Sequence, residues 1–339
     1  MSLSSPSIEG QGNPLTTPAN VVVIVPEVGG ASGLGHLDRC IALGEQLTPA
    51  RCGVAVPDNP DAARRVSNGG ARPISVPGDA HSRAAWAVEN GASAVILDGY
   101  GFSIGFQASI RKSVVLVVID DLNNPCCCDL VVNATAARHL PAPSGAERYA
   151  ACPDHVLIGR DFAETRSQPS NPDHSANVLV GVGSGGIPNL AVDLASALRS
   201  ALPAEATITL VRGPDAAAHE AALEGIAIAH RPDSLATLMR QTALFVGAAG
   251  LSAVQAAFMG VPSVIIPAVA NQEAQAKGLS DAGCALISRS VGEATAAASA
   301  LLANATALRE MRRCGYRYID GRGKERASTA ILDLMRDRA

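Results

Sequence analysis

Aromatic residues make up only 3% of this 339-residue chain and charged residues 17%. With 27 Lys and Arg against 31 Asp and Glu, the net charge is −4. A nucleic-acid partner would call for a basic stripe and aromatic stacking platforms, so none is expected. No apolar run reaches the roughly 18 residues that span a bilayer, which argues against stable membrane insertion. The eight cysteines include no C-x-x-C pair and no His/Cys group at zinc spacing, so no structural metal is expected. Residues 1–20 lack the basic start and apolar middle of a signal peptide. Rich in Ser, Pro, Gly and Thr, they read as a disordered leader, and the expectation is a cytoplasmic protein with reduced thiols.

What is present is 47% hydrophobic content, arranged in short β-rich runs that alternate with helical ones. Strands are expected at 21–25, 52–56, 73–76, 94–98, 114–119 and 129–133, the last of these closing the first half. Residues 140–151 then read as a lapse in regular structure. The plan repeats from near His155, with strands at 178–182, 207–211, 226–229, 244–246 and 263–266. Strands separated by helices of this length imply crossover units and parallel sheets. The chain is therefore expected to be α/β, with Rossmann-like domains over 21–150 and 151–339 facing one another across a cleft. The charged, helical 309–338 segment would pack across the hinge or on its own domain.

The stretch Val21 to Leu47 organises the first half. Five β-branched residues stop at Pro26, a glycine-rich turn runs from Gly29 to Gly35, and an apolar-periodic helix follows. His36 lies in the first turn of that helix, where the positive end of the dipole disfavours the imidazolium. A neutral ring there suits a general base, or the residue is simply solvated. The GLGH spacing differs from the G-x-G-x-x-G dinucleotide fingerprint, which demotes nicotinamide binding even though Asp58 follows the second strand. The strand at 94–98 delivers Asp98, Gly99 and Tyr100 to the edge from which Gly33 to His36 also emerge. Asp120 and Asp121 end the next strand. Alternation of side chains would send them to opposite sides, and a turn cap is the simpler role.

In the second half, Gly183 to Gly186 form a turn able to wrap a phosphate oxygen. Gly250 and Ser252 stand between a strand end and a helix start, with Ser252 an N-cap or part of a diphosphate site. Asn271 and Gln272 are neutral amides that could read hydroxyl or acyl groups, or cap the following helix.

These segments, GLGHLDRCIAL, ILDGYG, IDDLNNPCCCDLVVNATA, GVGSGGIPNL and GAAGLSAVQAAFMGVPSVIIPAVANQ, occur in the order of a known family. The chain resembles the UDP-2,4-diacetamido-2,4,6-trideoxy-β-L-altropyranose hydrolases of pseudaminic acid biosynthesis, relatives of the GT-B glycosyltransferases. The resemblance implies a GT-B-like fold and metal-independent, cofactor-free hydrolysis of a nucleotide sugar, with His36 activating water and Asp98 and Tyr100 in the same pocket. It assigns substrate binding to Gly33, Gly35 and Arg39 on the first domain. On the second it assigns Gly183, Ser184, Gly185, Gly250, Leu251, Ser252, Gln255, Asn271 and Gln272. Two positions depart from the family: Gln255 replaces the usual Glu that grips the ribose, and Gly186 replaces an acid in the first phosphate turn. The alternatives are a GT-B glycosyltransferase with another acceptor, or a non-catalytic relative.

Overall fold

The computed structural model describes residues 21–28, 34–47, 51–138, 140–168, 176–183, 189–212, 223–230 and 234–338. Gly33, Ser184, Gly185, Gly186 and Pro188 lie outside them. Among the described residues no helix is long and apolar enough to cross a membrane.

The first half builds a seven-stranded parallel sheet. Its strands are β1 (Val22–Pro26), β2 (Cys52–Val56), β3 (Pro73–Ser75), β4 (Ala94–Asp98), β5 (Val115–Ile119), β6 (Cys128–Val132) and β7 (Ala146–Ala150), in the order β3-β2-β1-β4-β5-β6-β7. Helices α1 (Gly35–Gln46), α2 (Pro60–Asn68), α3 (Ala80–Glu89) and α4 (Ile104–Arg111) make the crossovers. Every residue of β1, β2, β4, β5 and β6 is buried, as expected of a parallel sheet covered on both faces. Alternate β1 side chains feed two cores, Val22 and Ile24 toward α1, Val23 and Val25 toward α3. The run Val-Val-Ile-Val-Pro is a strand for that reason: β-branched residues fill both sides of a doubly covered sheet.

The sequence expectation is corrected at β7. Residues 140–151 are not a lapse throughout, because Ala146–Ala150 pairs in parallel with β6 and makes it a penultimate strand. The segment AERYA is half exposed, so it lacks the apolar run that reveals the inner strands.

The second half contains α5 (Arg160–Ser167), β8 (Asn177–Gly181), α6 (Leu190–Ala201), β9 (Thr207–Arg212), β10 (Ala227–His230), α7 (Leu235–Arg240), β11 (Leu244–Ala248) and α8 (Leu251–Phe258). It continues with β12 (Ser263–Ile266), a 3₁₀ turn (Ala270–Gln272), α9 (Glu273–Asp281), β13 (Ala285–Ile287), α10 (Val291–Leu302), α11 (Ala305–Tyr318) and α12 (Gly323–Asp337). Its six strands are parallel in the order β10-β9-β8-β11-β12-β13.

The lobes are tied together by chain that crosses between them. Ala136, beyond β6, belongs to the second core, and the Tyr318 hydroxyl donates to its carbonyl at 2.5 Å. In return α12 lies on the first core through Ala327, Ile331, Leu334 and Met335, with Lys324 paired to Glu45 of α1. The C-terminal helix thus crosses to the first lobe, because its apolar face matches α1 and its Arg338 reaches Asp129 at 2.8 Å. At the other crossing, α9 packs so closely on this linker that a Cβ on Gly278 would stand 2.0 Å from the Ala136 carbonyl oxygen. We expect Gly278→Ala to destabilise the protein by about 1–3 kcal/mol, since backbone on both sides must move. Urea denaturation measures this, and an unchanged midpoint would refute the close approach.

Candidate active site

In both sheets the strand order reverses between two central strands, β1 and β4 in the first, β8 and β11 in the second. Crossovers leave in opposite directions there, opening a crevice beyond the carboxyl ends where ligands bind in open α/β sheets. The residues that carry chemistry stand at these two places.

On the first lobe, Pro26 of β1 and Asp98 of β4 are register partners, so Asp98 ends level with the turn that leads into α1. His36 and Arg39 are three residues apart on α1 and therefore share a face. Both reach the Asp98 carboxylate, which has no exposure at all. His36 Nδ1 lies 2.6 Å from Asp98 Oδ1. Arg39 donates through Nη2 to Oδ1 at 2.5 Å and through Nε to Oδ2 at 2.7 Å, a bidentate fork. The Cys40 thiol adds a donor to Oδ2 at 3.3 Å. Burial alone would raise this carboxyl, but Arg39 and His36 reverse the effect and hold it down at about 2. Arg39 is likewise opposed by burial yet kept firmly protonated by Asp98 and Asp121.

The ionised carboxylate sets the imidazole tautomer. Nδ1 has two neighbours, Asp98 Oδ1 at 2.6 Å and Arg39 Nη2 at 3.0 Å; the shorter contact, to an ionised acceptor, assigns the proton to Nδ1 and leaves Nε2 as the proton-accepting nitrogen. The ring is 5% exposed and is covered edge-on by Tyr100, with centroids 4.8 Å apart. Tyr100 is held in turn by Glu27, which directly follows β1 and accepts from the Tyr100 and Gly101 amides at 2.9 and 3.0 Å. Burial and the facing Asp121 keep the Tyr100 phenol well above its usual range, so it remains a neutral hydroxyl.

The adjacent acids separate as side-chain alternation requires. Asp120 caps the turn, accepting from the Leu122 and Asn124 amides at 3.2 Å each. Asp121 turns the other way, accepting from Arg39 Nη1 at 2.8 Å and from the Tyr100 hydroxyl at 3.1 Å. Arg39, expected at the substrate, donates through Nε and Nη2 to Asp98 and through Nη1 to Asp121. Among the described residues no group of three or more His, Cys, Asp or Glu is placed to hold a metal ion.

The second lobe contributes a helix start. Gly250, not Ser252, is the N-cap of α8, and no side chain caps it. Ser252 falls inside the first turn, because Gly250 is still extended and the helix begins at Leu251. Gln272 closes the neighbouring loop, its Oε1 accepting from the Ala268 amide at 2.9 Å, while its Nε2 lies 3.6 Å from where a Gly250 Cβ would be. Gln255 is buried on the same helix. Gly35 and Gly183 have open space around them. Asn271 spans the crevice: its Nδ2 donates to the Tyr100 hydroxyl at 2.6 Å. The structure thus joins His36, Arg39, Asp98, Tyr100 and Asn271 in one network and sets Gly250, Ser252, Gln255 and Gln272 around the start of α8. Glu27 and Asp121 complete the first group. Their signal in sequence was slight, an acid at the end of a central strand.

No protein family and no curated protein matches the sequence. Solved structures do. The chain is similar to MurG of Acinetobacter baumannii at 18% identity, with a TM-score of 0.61 over 93% of this chain and 100% of that one. It is similar to the spinosyn forosaminyltransferase SpnP at 13% identity, TM-score 0.64, over 94% and 100%. A third is UGT2 of Phytolacca americana, solved with UDP-2fluoro-glucose and pterostilbene, at 13% identity and TM-score 0.63 over 93% and 100%. At these identities the architecture is what is shared, and the chain has the GT-B fold.

Proposed function

We propose that this protein is a glycosyltransferase that takes a nucleotide-sugar donor and passes the sugar to a hydroxyl acceptor, with His36 as general base. The observation that carries the reading is the His36 Nδ1 contact to a buried, ionised Asp98 at the switch point of the first sheet. It leaves Nε2 to accept a proton. The similarity in fold to nucleotide-sugar-dependent transferases supports the donor class. Motif resemblance favours water as the acceptor, whereas the fold neighbours favour another molecule. The same base serves both.

The acceptor O–H gives its proton to His36 Nε2 as its oxygen attacks the anomeric carbon. The bond from that carbon to the diphosphate oxygen breaks, and its electron pair leaves with the nucleoside diphosphate. Asp98 stabilises the imidazolium that forms, without taking the proton itself. Unpaired amides at the start of α8 suit the departing charge, because helix N-termini concentrate donors and positive potential. A nucleoside diphosphate leaves without protonation by a strong acid, so no carboxylate pair of the glycosidase kind is required. Direct displacement inverts the anomeric centre.

His36→Ala and Asp98→Asn should each lower sugar transfer about 10²- to 10⁴-fold, the usual contribution of a positioned base. Nucleotide affinity, measured by calorimetry, should stay within about twofold for His36→Ala. Turnover of UDP-, TDP-, GDP- and CMP-sugars with and without hydroxyl acceptors separates transfer from hydrolysis. Release of nucleotide that no acceptor accelerates would reject transfer in favour of hydrolysis, and full activity of His36→Ala would reject the base.

The second lobe offers a test of its own. Gln255 presents an amide where a carboxylate would accept ribose hydroxyls more strongly. We expect Gln255→Glu to tighten UDP binding by about 1 kcal/mol, less than tenfold. Unchanged or weaker binding by calorimetry would remove Gln255 from the nucleotide site.

A further inference from the structure

Two supports fix the His36 ring. Behind it stands Asp98, itself gripped by Arg39, and across its face lies the Tyr100 ring, at 4.8 Å and an interplanar angle of 81°. The two come from different elements, α1 and the loop after β4. A single side chain touches both. Asp121, two residues beyond the neighbouring β5, accepts from Arg39 Nη1 at 2.8 Å and from the Tyr100 hydroxyl at 3.1 Å, both through Oδ2.

We infer that Asp121 is a positioning residue for His36, acting through Arg39 on the carboxylate behind the ring and through Tyr100 on its face. The guanidinium explains why such a residue is needed. Its Nε and Nη2 form the fork to Asp98, which leaves Nη1 pointing away from that carboxylate. A planar fork held at one edge can rock about its contact, and Asp98 rocks with it. Anchoring Nη1 holds the plane from the opposite side. The same oxygen holds the phenol over the imidazole and leaves Tyr100 available to Asn271 of the second lobe at 2.6 Å. Among the described residues, the charged or titratable groups in contact with the His36 ring are Asp98 and Arg39, with Tyr100 packed against it in a T-shaped contact. Asp121 stands behind two of the three. It makes no contact with His36 and is not a catalytic residue.

The inference rests on the proposed role of His36 for its consequence but not for its test. In full-length protein, the Nδ1 proton shared with Asp98 should give a downfield proton NMR signal, assigned by its loss in His36→Ala. In Asp121→Asn this signal should broaden or move upfield while the cooperative thermal transition is kept. Asp121→Glu, which restores an anionic acceptor, should recover much of it. If sugar transfer is found, Asp121→Asn should lower kcat about 10- to 100-fold, the scale of a small misplacement, with the donor KM within about twofold. An unaltered signal in folded Asp121→Asn would overturn the inference whatever the enzyme's activity. Loss of the fold in both Asp121→Asn and Asp121→Ser would also overturn it, making Asp121 a structural residue. Absence of transferase turnover in the unaltered protein would reject the proposed function alone and leave the NMR result to decide this one.

Discussion

The first lobe depends on a carboxylate that has no access to solvent. Asp98 sits at the end of a fully buried strand, and an uncompensated charge there would cost several kcal/mol. It is tolerable because α1 brings two partners to it from one face, three residues apart in sequence. Removing one partner of such a buried pair typically costs 3–5 kcal/mol, since the other is left charged and unmatched. The interaction that holds the imidazole therefore also fastens α1 to β4. Stability and the proposed chemistry are drawn from the same three side chains, and substitutions at Arg39 are expected to show both effects together.

The two lobes apply one sheet topology to different tasks. In the first, the switch point carries the side chains proposed to move and stabilise a proton. In the second, the corresponding point ends in Gly250 and a helix start with no side-chain cap, the place where the proposed function seats the departing diphosphate. Two crossings, Ala136 into the second core and α12 back onto the first, tie the lobes to one another.

Much of this arrangement was legible in the sequence. Five β-branched residues, a proline and a glycine turn placed His36 at a helix start, and the strand at 94–98 placed Asp98 on the same edge. Alternation separated Asp120 from Asp121 correctly. What periodicity could not supply was the length of an arginine: Arg39 reaches from α1 past Asp98 to Asp121 and bonds to both carboxylates. The β7 strand escaped because AERYA is half exposed and so carries no apolar run. Ser252 was read as an N-cap or as part of a diphosphate site; the N-cap is Gly250, two residues earlier, where the chain is still extended. Capping preference is weaker than the geometry of the preceding strand.

The choice of acceptor turns on access to the histidine. A ring that is 5% exposed, roofed by Tyr100, does not stand open to bulk water, yet the roof is itself 41% exposed and fastened to the second lobe by one hydrogen bond. A hydrogen bond of this kind contributes roughly 0.5–1.5 kcal/mol net, so parting Tyr100 from Asn271 is a small step compared with any chemical barrier. Leu122, next to Asp121, and Val269, two residues before Asn271, are exposed apolar side chains close in sequence to the two residues that hold the Tyr100 hydroxyl. Water gains nothing from such surface, whereas an acceptor with an apolar body does. Under the proposed function, an acceptor able to bury those side chains would be better placed than solvent to displace Tyr100 from the histidine.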